Sequence, residues 1–371
     1  MTTEHSPLPL LERVDHDGLR SLAAEWDGLI ADSVTPGPFL SWPWISSWLD
    51  TLGADADLEA HVARDPADGT LLGVAPFFVE RRRHAGLTVP VLRIIGSGPA
   101  APDHLDLPVV RGRPEVGAAL WAAVQNRRRW DLIDLDGVAD EGMLAGLLLR
   151  REGDRPRSQP TLTPYLPLDG GRDATLTRIS PSLLSNLGRY GRKLDREAPA
   201  AVTERMVVER ADLEATMDRL AALHSDVRGS RGEKGAFATP ALDAFQREVA
   251  RRMLEAGRLR LWRLDVGTDT IAVIECFRHG DTVAFYTTGY DRQWSRYGPG
   301  RRIMFRAVLA AADEDALRFD FLRGDEEYKS TWGAVSRYDL RIRRPAGPRG
   351  RILEGARRVI SVGRGRRKPR P

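Results

Sequence analysis

Apolar residues recur at helical spacing through Leu19–Ala31, where Leu19, Leu22, Ala23, Trp26, Leu29 and Ile30 share a face. Phe39–Leu52 predicts a second helix, and its Trp42, Trp44 and Trp48 form a stripe expected in a core. The pattern then shortens to strands: Leu58–Arg64, Leu71–Arg81 and Val89–Ile95, with His84-Ala85-Gly86 as a turn. Val116–Gln125 predicts a helix and Leu132–Leu135 a short strand. Arg150–Pro160 is charged, bears proline and has no period, as a linker does.

The second half repeats this order. Pro181–Arg196, Asp212–Ser225 and Thr239–Ala256 predict helices, the last closed by Gly257. Strands follow over Leu259–Asp265, Thr270–Arg278 and Thr282–Tyr290, with a hairpin turn at His279-Gly280-Asp281. A glycine-rich loop, a helix over Arg302–Asp313 and strands over Arg318–Leu322 and Ser336–Arg343 complete it. Each half holds a helix, then an apolar strand with a central aspartate (Asp134, Asp320), then glycine (Gly137, Gly324). This suggests an internal duplication.

With 371 residues, 42% hydrophobic and 29% charged, the chain has globular composition and room for two domains. Its single cysteine, Cys276, excludes an intramolecular disulfide and a cysteine-based zinc site; no metal is expected. The first residues carry no apolar h-region and no apolar run approaches the ~20 residues that span a bilayer. A cytoplasmic protein is the expectation, and the Arg- and Ala-rich composition suggests a bacterial source. Arg341–Pro371 holds twelve Lys/Arg and one acid, Glu354, against +4 for the whole chain, so the body is net acidic. Such a tail is either a solvated, disordered terminus or a contact for an anionic membrane, nucleic acid or polymer.

The stretch Thr282–Trp332 concentrates candidate chemistry. After a strand comes Trp294-Ser295-Arg296-Tyr297-Gly298-Pro299-Gly300, then Arg301-Arg302 and an apolar helix. Amides at a helix N-terminus bind phosphate oxygens, glycines admit the anion, and an arginine adds charge. It is neither a dinucleotide fingerprint nor a Walker loop: position 303 is Ile, and no Gly-Lys-Ser/Thr follows. Asp320-Phe321-Leu322-Arg323-Gly324-Asp325-Glu326-Glu327-Tyr328-Lys329 then crowds charge at a strand end, where α/β sheets build sites. Glu326 or Asp325 suits a general base, Tyr328 a proton donor and Lys329 an anion holder; the structural alternative is a solvated acidic turn. His224 precedes a loop, Ser225–Phe237, that either lines an acceptor site with Phe237 or is a mobile surface loop. An ordinary histidine, with its pKa near ~6.5, suits a base. Arg189, Arg192, Lys193 and Arg196 make Leu184–Arg196 basic. Cys276 reads as a core thiol, and Glu275 beside it as a further base if it faces the cleft.

Several of these segments resemble the GNAT-superfamily branch of cellulose-biosynthesis-associated, or BioF2-like, acetyltransferases. The matching residues are Phe39, Trp44 and Trp48, Pro76–Arg83, Leu92–Ser97, Leu184–Arg196, Leu223-His224, Gly235-Ala236-Phe237, Tyr290-Asp291, Pro299-Gly300 and, most distinctively, Asp320–Glu326 with Tyr328-Lys329 and Trp332. The resemblance spans about Leu19–Arg344. It implies α/β (α+β) tandem GNAT-like lobes, each a mixed central sheet with flanking helices, similar to Fem-type peptidoglycan aminoacyltransferases. It implies acetyl-CoA (acyl-CoA) as donor in a ternary complex. Thr282–Tyr290 becomes the splayed strand, with Thr288 and Tyr290 along the pantetheine. Arg296, Gly298, Gly300 and Arg301 take the pyrophosphate, and Asp320, Arg323, Asp325 and Phe237 face the acceptor. Two departures stand out: Ser295 replaces the usual Gln/Arg, and the splayed strand has no glutamate.

The expected organisation is a disordered 1–9, an N-terminal lobe 10–160, a catalytic lobe 161–344 and a basic disordered tail 345–371. The expected activity is acyl transfer to an amine or hydroxyl, on a small molecule, saccharide or envelope precursor. Fem-like transfer from aminoacyl-tRNA, the one role given to nucleic acid, and a non-catalytic GNAT scaffold are the alternatives.

Overall fold

The computed structural model of the protein describes residues 8–84, 86–149, 157–229 and 235–365. The chain opens with β1 (Leu10–Val14), α1 (His16–Ser21), α2 (Ala23–Ala31), α3 (Trp42–Asp50), β2 (Asp57–Arg64), β3 (Leu71–His84), β4 (Leu87–Ile94), α4 (Pro114–Arg127), β5 (Leu132–Ala139) and α5 (Met143–Leu149). It continues through β6 (Arg157–Leu162), β7 (Tyr165–Pro167), α6 (Gly171–Arg178), α7 (Pro181–Glu197), β8 (Val202–Met206), α8 (Arg210–Gly229) and α9 (Pro240–Glu255). It ends with β9 (Leu259–Val266), β10 (Asp269–His279), β11 (Thr282–Tyr290), α10 (Pro299–Asp313), β12 (Arg318–Asp320), α11 (Tyr328–Thr331), β13 (Tyr338–Pro345) and α12 (Pro348–Gly365).

Two units result. One draws on the described residues of 1–35, 53–160 and 339–371, the other on 36–52 and 161–338. The lobes expected at 10–160 and 161–344 therefore each lend a segment to the other unit: 36–52 and 339–344.

In the first unit the sheet order is β1-β2-β3-β4-β5-β13-β6. Neighbours from β1 to β4 are antiparallel and β4–β5 is parallel. Trp121 of α4 packs edge-on against Phe77 of β3, centroids 5.7 Å apart. Asp134 of β5 is buried and accepts from Arg82 Nη1 at 2.9 Å, Arg341 Nε at 3.1 Å and Arg343. Burial alone would raise its pKa, but the arginines override it and hold the carboxyl down at about 2. The disordered tail expected at 345–371 is corrected over its first part: α12 forms there, because Leu353 packs on Val89, Val91 and Leu132, and Glu354 accepts from Arg343 Nη2 at 2.6 Å. Residues 366–371, like 1–7, the linker segment 150–156 and Ala85 of the expected turn, lie outside the described residues.

In the second unit the order is β7-β12-β11-β10-β9-β8. Strands β8 to β11 are antiparallel neighbours, and β11–β12 is parallel. The run β1–β5 thus repeats as β8–β12, and a helix (α4, α10) stands before the parallel strand each time. Side chains alternate across β10. Ile274 and Cys276 join the core formed with Ile303, Met304 and Val308 of α10. Phe277 turns to the other face, against Phe39, Trp44 and Tyr286. Trp44 also meets Phe39 at 4.8 Å and Phe245 of α9 at 4.9 Å, edge-on in both cases. Of the tryptophan stripe, Trp44 and Trp48 are core, as the spacing implies, and Trp42 is half-buried.

Candidate active site

Strands β11 and β12 are in register only from Thr282–Ala284 against Arg318–Asp320. Beyond that they part. The chain after Asp320 follows residues 162–164 instead: Phe321 N–H donates to Pro164 O at 3.0 Å and Gly324 N–H to Leu162 O at 3.0 Å. On its other edge β11 pairs with β10 to its end, with one irregularity. Glu275 opposes Thr287 and Cys276 opposes Phe285, which leaves Tyr286 as a bulge where the splay begins.

From the splay the chain passes through a 3-10 turn, Arg292–Tyr297, to Gly298 at φ 60°, ψ 44°, which caps α10. This left-handed conformation favours glycine. Helices α7 and α9 satisfy their first amides with Ser180 Oγ and Thr239 Oγ1, at 3.3 and 3.2 Å; α10 has no side-chain cap. A Cβ on Gly300 would lie 3.0 Å from the Tyr290 ring, so glycine lets strand and helix end meet. Arg301 is exposed. Arg296 lies over the Tyr297 ring at 4.7 Å and Lys193 of α7 at 5.6 Å on the same ring. The neighbouring Arg302 is bound in structure, pairing with Asp195 at 2.7 Å and Glu204 at 2.6 Å. The loop thus brings together Arg296, Gly298, Gly300, Arg301, Tyr290 and the basic helix α7.

The acidic motif is a built turn. Asp320 is buried, accepts from Leu322 N–H at 2.8 Å and pairs with Arg337. Leu322 sits at φ 54°, a strained conformation for a leucine. Lys329, buried, clamps the turn: Nζ donates to the carbonyls of Leu322 (3.2 Å), Arg323 (3.0 Å) and Gly324 (3.2 Å) and meets Glu326 Oε2 at 2.9 Å. Lys329 and Asp320, expected to hold ligands, are therefore scaffold. The charge of Lys329 is met within the turn, and that of Asp320 by Arg337 beyond it. Asp325 and Glu326 are exposed, Arg323 is half-buried, and Tyr328 is half-buried against the core with α10.

His224 is likewise corrected as a base. It is 5% exposed; Nδ1 faces Thr288 O at 3.0 Å and Thr287 Oγ1 at 3.1 Å, while Nε2 accepts from Ala236 N–H at 3.1 Å. That set assigns the neutral Nδ1–H tautomer and occupies the lone pair a base needs. The ring ties residue 236 to β11, with Phe237 edge-on at 5.7 Å. The same bond uses the carbonyl of Thr288, whose hydroxyl donates to Val273 O at 2.8 Å. Helix α8 runs to Gly229, over the start of the expected loop; 230–234 lie outside the described residues.

Glu275 faces away from α10, on the side of Thr287. It is fully buried, and neither carboxyl oxygen has a hydrogen-bond partner. Burial pushes its pKa up to about 8. Burial first, and the charge of Glu275 second, also push the Cys276 thiol up, so it stays protonated. On the same face Gln246, buried on α9, donates to Tyr286 OH at 2.7 Å and keeps its own Oε1 unpartnered. Gln246, Tyr286 and Thr287 carried no sequence motif. Only the break in the alternation of β10, a glutamate in an apolar strand, marked the place.

The first unit differs at the matching position. There β4 and β5 pair over Val91–Leu92 and Leu132–Ile133. Leu105 then pairs with β5 beyond them: its N–H donates to Gly137 O at 2.7 Å, and its carbonyl accepts from Ala139 N–H at 2.9 Å. Asp106, buried, fixes this segment by accepting from Met143 N–H, Leu144 N–H and Thr35 Oγ1 at 2.9, 2.7 and 2.7 Å. The chain's own backbone fills the splay. Among the described residues no His, Cys, Asp and Glu are grouped to hold a metal, and no helix is long and apolar enough to cross a membrane.

Comparison with known proteins agrees with this geometry. The sequence matches no curated protein. Among solved structures, FemX superposes with a TM-score of 0.61 at 12% identity, over 90% of this chain and 96% of that one. A conserved protein of unknown function from Bacteroides thetaiotaomicron gives 0.57 at 12%, over 91% and 100%. The C-terminal domain of a lysylphosphatidylglycerol synthetase from Agrobacterium fabrum gives 0.53 at 10%, over 90% and 96%. At these identities the likeness is one of fold. Residues 182–330, which hold the splayed strand, the glycine cap and most of the acidic turn, match the acetyltransferase (GNAT) domain family, and the chain carries a GNAT-type acetyltransferase domain there.

Proposed function

We propose that this chain transfers an acyl group, acetyl in the simplest case, from acyl-CoA to an amine or hydroxyl on a small molecule or saccharide. One observation carries the proposal: β11 leaves β12 after Ala284 and leads into the glycine-capped start of α10. The unmatched edge of β11 offers backbone groups to a pantetheine arm. The amides of α10, with Arg301, Arg296 and α7, offer positive charge to a pyrophosphate. The glycine at 300 and the exposure of Arg301 fit that group. Glu326, exposed and paired with Lys329, is our candidate to take the acceptor's proton. Tyr328 is the residue to return one to the leaving thiolate.

Fem-type transfer from aminoacyl-tRNA is the competing reading, favoured by the basic side of α7 and the likeness to FemX. Thiol release from acetyl-CoA with a panel of amino sugars and amines, run beside aminoacyl-tRNA, separates the two. Acceptor-dependent thiol release supports the proposal. Turnover of aminoacyl-tRNA alone refutes it.

A further inference from the structure

We infer that α12 docks this chain on an anionic bilayer surface. The inward side of the helix is engaged: Leu353 is 4% exposed in the first unit's core, and Glu354 is neutralised by Arg343. What faces out around them is Arg349, Arg351, Ile352, Gly355 and Ala356, with Ile352 63% exposed. Along Pro348–Gly365 the sequence sets five arginines (349, 351, 357, 358 and 364) against one acid, among Ile352, Val359, Ile360 and Val362. Glu354 is already paired within the fold, and the exposed charges described on the helix, Arg351 and Arg349 (the latter 3.9 Å from Asp131), are positive and complement an anionic partner.

The apolar content selects which anionic partner. Nucleic acid rewards the arginines through phosphate contacts alone. A bilayer interface takes both the arginines at headgroup level and the isoleucine at the acyl boundary. Each basic residue near an anionic leaflet is worth about fivefold in affinity, and the gain falls with salt.

The test is flotation of the full chain with vesicles of phosphatidylcholine, and of phosphatidylcholine mixed with phosphatidylglycerol. The expected result is binding to the mixed vesicles only, weakening steeply with salt. Arg349→Glu/Arg351→Glu should weaken it about 25-fold or more, and Ile352→Asp about tenfold or more. These side chains are exposed, so unchanged thermal unfolding of each variant confirms that the fold is intact. No flotation overturns the inference, as does flotation that Ile352→Asp leaves unaltered. Tighter binding to duplex or single-stranded nucleic acid than to the mixed vesicles would also overturn it. None of these outcomes depends on the acyl-CoA site.

Discussion

Replacing Glu275 by glutamine removes a titration that works against the fold. The unfolded carboxyl titrates near the ordinary 4.5, and the buried one at about 8. Between these values the folded protein holds a proton that the unfolded chain releases. Stability therefore falls as pH rises, by about 1.4 kcal/mol per unit, and levels off above the folded pKa. Across the whole window the loss is about 5 kcal/mol at most. Glutamine keeps the size and polarity and does not titrate, so any cost of its own unpartnered amide is constant with pH. The stability difference between Glu275→Gln and the parent should then grow in favour of the variant by about 4 kcal/mol between about pH 5 and pH 8. Urea unfolding of both proteins at the two pH values, followed by tryptophan fluorescence, reads it. A difference that stays flat across this window refutes the claim that Glu275 is buried and unpartnered. A carboxyl kept at such a cost beside the bulge of β11 is also the first place to look for loss of transfer.

Other substitutions test the rest of the site. Lys329→Met should destabilise the protein by about 3 kcal/mol in denaturant unfolding, because three carbonyls and a carboxylate lose their shared donor. His224→Gln should cost about 1–2 kcal/mol of stability and leave the acidic limb of the pH–rate profile where it is, since its lone pair is already used; a shifted limb would restore it as the base. In the first unit, Asp134→Asn should cost about 2–3 kcal/mol near neutral pH, by taking their shared carboxylate from buried Arg343 and half-buried Arg82 and Arg341. The folded pKa of Asp134 is depressed, so this advantage over the variant is present above about pH 4 and fades as pH falls towards 2; equal stability at neutral pH would refute it.

The framework was legible because it is local. Alternation marked β9, β10 and β11, the turn at Gly280 joined the last two, and Pro299 set the start of α10 slightly before its apolar period. The short β7, β8 and α6 were not legible: none is long enough to show a period, and β8 becomes a strand by pairing with β9. Helix α12 looked like a disordered tail because its charge hides the one leucine and one glutamate that anchor it. The glycine cap could be read from its residues, since conformation and spacing are properties of the chain there. The roles of Lys329 and His224 could not. A lysine beside an acidic run looks the same whether its ammonium meets a ligand or three carbonyls, and those carbonyls converge only through the strained turn at Leu322. His224 is disarmed by the amide of Ala236, twelve residues on, and by Thr288 on a strand still further away.

The central claim, that the glycine-capped end of α10 holds the donor's pyrophosphate, is tested most directly by calorimetric titration with acetyl-CoA. The parent would be compared with Gly300→Asp and Arg301→Glu, the latter exposed and so neutral to folding. One molecule should bind per chain, because the first unit's splay is filled by Leu105. Arg301→Glu should weaken binding about tenfold or more, and Gly300→Asp should abolish it. Parent-like affinity in both variants, or no binding by the parent at all, would contradict the account.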